Sequence, residues 1–316
     1  MKRFLLKFAV FSAICLAACI GGDLLVSKVY QRSPLPQYAS WYDVMHGQVH
    51  ADVIVNGNSR TWALVSPAIL DSVLNISSYN LGMDGSAFNR QVVKYHLFRH
   101  YNPKPSLIIQ NVDHMTMEFS DGYQRSQFYP YLWNPVFRKA VFAIESIPVP
   151  DRYIPLFRYR GKPFPQFNRN ARPMLYKGYA GSDRAWDGTA LRNLTGFTFT
   201  IDPRTEAMFD AFLREMAAEG TKVVFVYAPF YEEGLRKIVN SEEMRSFYAA
   251  YAQKYDIPIL DYTKLDICKD TSYFYNASHL NRRGAEAYSR ALAEDIKSMG
   301  ILKEAKDITP VPDSAF

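Results

Sequence analysis

Cysteine is scarce in this 316-residue chain, and its placement excludes two structural devices. Of three cysteines, Cys15 and Cys19 fall within the first twenty residues, leaving Cys268 alone in the remainder. An internal disulfide in the main body is ruled out, and a cysteine-based zinc site lacks ligands. Long runs of one charge are also missing, since 37 basic and 31 acidic residues are scattered to a formal net charge of +6. With no zinc-finger or RNA-binding signature, that balance argues against a nucleic-acid partner. No solenoid or propeller period recurs and no low-complexity tract is present. No metal or nucleotide motif stands out, so no cofactor is expected. What remains is ordinary globular composition, 48% apolar with 16 glycines and 18 prolines, enough for one large domain or two small ones.

The amino terminus is built for export. Met1-Lys2-Arg3 is cationic, and Phe4 to Ile20 is apolar apart from Lys7 and Ser12. Gly21-Gly22-Asp23 and a second apolar patch, Leu24-Leu25-Val26, follow. Basic residues stay on the cytoplasmic side, so the main body is expected outside the cytoplasm, periplasmic or at the cell surface. Residues 1–30 therefore read as a signal anchor, with Asp23 near one interface. The alternative is a lipoprotein, because Leu16-Ala17-Ala18-Cys19 resembles a bacterial lipoprotein cleavage box with Cys19 as the lipidated residue. The patch at Leu24 to Val26 and Tyr30 favour the anchor, being odd in a free lipoprotein tether. Residues 31–50 contain Pro34, Pro36 and several aromatics without clear periodicity, and read as a lead-in packed on the domain.

From residue 51 onward the chain alternates strands and helices. Val53-Ile54-Val55 is a β-branched run ending in Asn56-Gly57-Asn58-Ser59-Arg60, a buried strand followed by a glycine turn that presents a serine. Ser66-Pro67 opens a helix. Ser77 to Gly85 reads as a short strand and a turn with two glycines, Gly82 and Gly85. Ala87 to Tyr101 has helical spacing, and Leu107 to His114 is a third strand ending in polar side chains. This βαβαβ run predicts a parallel sheet with crossover helices. His96 and His100, four apart, could share a metal, but with no third ligand nearby a helix-surface or packing role is favoured.

The rhythm breaks over residues 115–200, which are rich in Tyr, Phe, Arg and Pro, as in Phe128 to Trp133 and Met174 to Tyr179. Such a segment is too aromatic for disorder. It is either a cap over the carboxyl edge of the sheet or a structural insertion that completes the core. Regular α/β order returns at Asp202-Pro203, with a helix stripe Met208, Phe209, Phe212, Met216 that stops at Gly220. Val223 to Tyr227 is a strand, and Asn240 with Glu243 resembles a capping box for the next helix. Ile257 to Leu260 is a strand near the sheet edge, and a last helix from Asn281 buries Ala285, Tyr288, Leu292 and Ile296. Residues 301–316 form a charged, proline-containing tail that is expected to fray.

Just before the last helix stands Phe274-Tyr275-Asn276-Ala277-Ser278-His279-Leu280-Asn281. Ser59 and His279 are a nucleophile and a base candidate in loops of one sheet, although a polar turn at Gly57-Asn58-Ser59 and a capping histidine would leave the same sequence. Taken together, the chain resembles the SGNH (GDSL-type) hydrolase superfamily, in particular membrane-anchored bacterial members with a G-x-S-R serine motif and a D-x-x-H-L-N closing motif. The resemblance covers roughly residues 51 to 115 and 202 to 298, with the motifs in the family's order. It implies a three-layer α/β/α sandwich with a mainly parallel, flavodoxin-like sheet over residues 51–300, carrying the aromatic-rich insertion at 115–200.

The resemblance also implies roles. The nucleophile falls on Ser59 and the base on His279. The oxyanion donors fall on the Ser59 backbone N–H, on Gly85, five residues after Asn80, and on Asn111. One departure stands out: Asn276 occupies the place of the family's aspartate. An amide oxygen can orient an imidazole but brings no charge to stabilise the imidazolium. In a serine protease that exchange costs about ten-thousandfold in turnover. Asp266 and Asp270 lie in the preceding loop, with nothing in their spacing to recommend them. The expected function is an extracytoplasmic serine esterase or O-acyltransferase acting on acyl esters of cell-envelope glycans or on a small ester, with the membrane as a partner through the amino terminus. The competing expectation is a protein with a degraded triad that binds glycans or aids assembly.

Overall fold

The computed structural model of the chain describes residues 1–162, 175–188 and 196–302. In chain order the helices and strands are α1 (Lys2–Gln31), α2 (Pro36–Met45), β1 (Val53–Asn56), α3 (Ser59–Leu64), α4 (Pro67–Leu74), β2 (Ser78–Asn80), α5 (Phe88–Tyr101) and β3 (Leu107–Asn111). After these come α6 (Pro135–Phe142), α7 (Val149–Tyr153), α8 (Pro203–Glu219), β4 (Lys222–Tyr227), α9 (Glu232–Leu235), α10 (Ser241–Tyr255) and β5 (Ile259–Asp261). A two-stranded hairpin, β6 (Phe274–Asn276) and β7 (His279–Leu280), leads into α11 (Arg282–Ser298).

The five strands β1 to β5 pair in parallel in the order β2-β1-β3-β4-β5. That is the flavodoxin-like order, whose direction of winding reverses between β1 and β3, where ligands of such sheets bind. The strands are apolar on both faces because helices cover both. Ile54, Ile108 and Phe225 face a cluster with Phe88, Tyr95, Phe209, Phe212 and Tyr248, from α5, α8 and α10. Val53, Val55, Ile109 and Val224 face the other way, onto Leu64, Leu70, Tyr288, Leu292 and Ile296 of α3, α4 and α11. The three-layer sandwich is thereby formed.

Local signals account for most boundaries. Asp202 caps α8 by accepting from Arg204 N, and Gly220 ends it in the left-handed region. Pro258 precedes the short edge strand β5. Two expectations need correction. The lead-in contains a regular helix, α2, with Pro36 at its first turn and Trp41 and Val44 fully buried. Its period is hidden because the buried positions include the polar Ser40, while the aromatic Tyr42 is only partly buried. Asn240 stands at the N-cap of α10 but makes no capping bond there. Its amide instead clamps the Phe199 backbone, accepting from Phe199 N at 2.8 Å and donating to Phe199 O at 2.9 Å.

The described part of the insertion divides in two. Residues 125–159 pack as a separate cluster (Phe128, Tyr131, Leu132, Phe137, Val141) against Trp41 and Met45 of α2 and Leu97 of α5, to the side of the sheet. Residues 175–188 do run along the carboxyl edge, where Asn80 N donates to Lys177 O, Ala180 N to Trp62 O and Arg282 N to Ser182 O. Gly178 is required there, because a Cβ would collide with Asn80 O and its φ is +83°. Met174 and the tail from residue 303 lie outside the described residues.

Helix α1 is the one described helix long and apolar enough to cross a membrane, with a mean hydropathy of 2.2 in its most apolar window. Phe4 through Leu16 project freely, whereas Asp23, Ser27 and Tyr30 are buried against the domain. Asp23 pairs with Arg158 at 2.6 Å, accepts from Leu156 N at 2.7 Å and takes a bond from Trp133 Nε1. Cys19 is exposed within this uninterrupted helix.

Candidate active site

The site is assembled at the carboxyl ends of β1, β2 and β3. After Asn56 the chain must turn sharply to start α3, and only glycine fits at position 57: a Cβ there would overlap Thr61 Oγ1 and approach Asn111 Cβ to 2.9 Å. Asn58 then caps α3, its Oδ1 accepting from Arg60 N at 3.0 Å. Ser59 becomes the first residue of the helix and is half-buried. Its N–H has no intrahelical acceptor at that position.

A buried polar network fixes this turn from below. Asp113 accepts from Asn58 Nδ2 at 2.8 Å, from Asn111 Nδ2 at 3.1 Å and from Met115 N at 3.0 Å, and pairs with Arg60 at 3.4 Å. Burial pushes the Asp113 carboxyl up, but Arg60, His114 and the bonds from Asn58 and Met115 outweigh it and hold the carboxyl below its usual range. Arg60 reaches on to Ala228 O and Pro229 O at 2.6 and 2.9 Å, with its guanidinium over the Phe230 ring. Asn80 closes the other end of α3, donating to Thr61 O and Val65 O.

His279 comes to Ser59 from the β6–β7 hairpin, Nε2 to Oγ at 2.8 Å. Its other nitrogen, Nδ1, lies 3.0 Å from Asn276 Oδ1 and 2.9 Å from Ser278 Oγ. The orientation of the Asn276 amide is dictated by its neighbours: Oδ1 also accepts from the backbone N–H groups of Ser278 and His279, at 3.0 and 2.9 Å. Flipping the amide would set its NH2 against two donors, so the oxygen must face the ring. The ring proton therefore sits on Nδ1, and Nε2 presents a lone pair to the Ser59 hydroxyl. Burial first, then the Arg60 and Arg184 charges, against an opposing contribution from Asp113, push the His279 pKa down to about 4. The imidazole is neutral at pH 7.

Gly85 lies in the β2–α5 loop with φ +59°, and a side chain there would collide with the Tyr123 ring. Asn111 ends β3 with Nδ2 held by Asp113, while its Oδ1 has no partner. Asp266 is exposed and pairs with Lys269, and Asp270 caps Ser272, so both are engaged away from His279. His96 pairs with Glu215 on the surface, and no metal-binding group occurs among the described residues. Sequence reasoning named Asn58, Arg60, Asp113 and Ser278 within their motifs but gave them no role of their own. Asp113 in particular carried a signal, being a carboxylate two residues after Asn111 at the end of an apolar strand.

Serine after β1, glycine after β2, asparagine at the end of β3 and histidine before the last helix all gather at one edge. These are the positions, in the same chain order, that the resemblance to the SGNH hydrolases assigns to its serine, glycine, asparagine and histidine.

No family model matches the chain, and no curated protein matches it in sequence. Solved structures of similar outline include a lipolytic protein of the G-D-S-L family from Desulfitobacterium hafniense, with 11% identity, TM-score 0.39, and coverage of 78% of this chain and 99% of that one. Another is a GDSL-like lipase from Bacteroides thetaiotaomicron, with 11% identity, TM-score 0.35, and coverage of 77% and 88%.

Proposed function

We propose that the chain is a serine esterase or O-acyltransferase, held at the membrane by α1 with its domain outside the cytoplasm, and that it acts on acyl esters of cell-envelope glycans. The observation that carries this reading is the 2.8 Å contact between Ser59 Oγ and a neutral His279 Nε2. His279 takes the hydroxyl proton as Ser59 Oγ attacks the acyl carbon. The oxyanion is met by the N–H groups of Ser59 and Gly85 and by the free N–H of Asn111 Nδ2. The tetrahedral intermediate then collapses, the leaving alcohol takes the proton from Nε2, and the acyl group stays on Ser59. Water or a sugar hydroxyl, deprotonated by the same nitrogen, removes it.

A glycan substrate is supported by the aromatic and cationic groups beside the pair. Tyr275 stacks on His279 at 5.3 Å between ring centroids, and Arg184 lies over Tyr275 at 4.6 Å. Both offer the flat, hydrogen-bonding surfaces that sugars and anionic groups favour.

A serine-directed phosphonate tests the chemistry. It should label Ser59 in the native chain and not in Ser59→Ala, and a panel of acyl esters with and without sugar acceptors separates hydrolysis from transfer. One observation favours a second reading, a glycan-binding or assembly protein: Asn276 supplies no negative charge to hold a protonated His279. Absence of labelling, together with sugar binding that Tyr275→Ala abolishes, would select it.

A further inference from the structure

Residues 133–162 expose a surface of one character. Tyr153 is 72% exposed, Val149 64% and Ile154 51%, and Trp133, Val136 and Leu156 are exposed beside them. The exposed charges of this stretch are Arg138, Lys139, Arg160 and Lys162. Its two carboxylates, Glu145 and Asp151, are buried, on Arg90 and on Arg160 respectively. Arg152 over the Phe142 ring ties α7 to α6, so the surface is one piece. An apolar patch rimmed by a single sign of charge marks an interaction face.

Its position identifies the partner. The surface is joined to α1 at Gly22 and Asp23: a Cβ on Gly22 would lie 3.6 Å from Leu156 Cδ1, and Asp23 holds both Leu156 N and Trp133 Nε1. Leu156 has φ +65°, a conformation that costs a leucine strain and that the 2.7 Å bond to Asp23 retains. From Leu5 to Leu25 the helix rises about 30 Å, the thickness of a bilayer's hydrocarbon core. Leu25 is itself exposed. A bilayer around α1 therefore reaches the level of Gly22 and Asp23, and Trp133, Tyr153, Ile154 and Leu156 lie at its boundary. Trp and Tyr are the side chains favoured in that layer, with Lys and Arg extending to the headgroups.

We propose that residues 133–162 form a shoulder resting in the headgroup layer of the bilayer that α1 crosses, with Tyr153, Ile154 and Leu156 inserted and Arg138, Lys139 and Lys162 facing anionic lipid. The proposal rests on the reading of α1 as a membrane anchor. The full chain is reconstituted in vesicles of phosphatidylethanolamine and phosphatidylglycerol containing lipid spin-labelled both near the headgroup and deep in the acyl chain. One fluorophore is attached in turn at native Cys15, at Tyr153→Cys and at Lys297→Cys, the other exposed cysteines being replaced by serine. Lys297 is on α11, across the sheet from α5. The label at 153 is expected to lose about half or more of its emission, as residence in the interface requires, and the label at 297 to keep its own. Quenching at Cys15 with none at 153 overturns the shoulder and leaves the anchor standing. No quenching at Cys15 overturns the anchor, and the shoulder with it.

Discussion

The turn that carries Ser59 and the hairpin that carries His279 are held by different means. Around Ser59 the fixing groups come from distant parts of the chain: Asn80 at the end of β2, Asp113 after β3, and the Ala228 and Pro229 carbonyls after β4. All are buried. Around His279 the partners are Asn276 and Ser278, three residues and one residue away. The proposed nucleophile is thus positioned by tertiary order, and a fault in its supports is a fault in the fold. The proposed base is positioned by a local loop, so its supports can be altered without unfolding the sheet, and its proton affinity adjusted independently.

The largest expected effect removes the pair itself. Ser59→Ala should lower ester turnover about ten-thousandfold without lowering the melting temperature, which steady-state assays and calorimetry on the same sample would check. Next comes the support beneath the serine. Asp113→Ala leaves Arg60 buried without its carboxylate and should cost about 3 kcal/mol or more in denaturant unfolding. A loss of activity with native stability would contradict the contrast drawn between the two regions.

The hairpin should behave differently. Asn276→Asp should raise kcat/KM about tenfold or more, since the carboxylate stabilises the imidazolium that forms as Ser59 attacks. The pH profile sharpens the same point. His279 works as the neutral imidazole, so activity falls as pH drops through its pKa, near pH 4 in the native chain. In Asn276→Asp the added negative charge favours the protonated ring, and the acid limb should move up toward neutrality. Smallest of all, Ser278→Ala should change kcat/KM only about twofold, because the Asn276 oxygen alone fixes the tautomer. A large effect there would show that the hydroxyl, not the amide, orients the ring.

The sheet was legible because β1, β3 and β4 carry short apolar runs closed by polar or turn residues, and the helices α8 and α11 have clear buried stripes. α2 was not, since its buried face mixes Tyr38, Ser40 and Trp41, which no simple period separates. The positions of Ser59 and His279 could be read from motif order. The tautomer of His279 could not: it depends on which end of an amide faces the ring, and that is decided by the Ser278 and His279 N–H groups. Asp113 was passed over for a similar reason, because a carboxylate shared by Asn58, Arg60 and Asn111 is visible only once β1 and β3 lie side by side.

Between the free end of α1 and the domain there is no break in the helical hydrogen bonding, and the Asp23–Arg158 pair pins the junction. The head consequently has no swivel. Rolling the rod about its long axis must carry the sheet edge, with Ser59 on it, through the same angle, so the direction in which Ser59 faces is set by how the rod is turned.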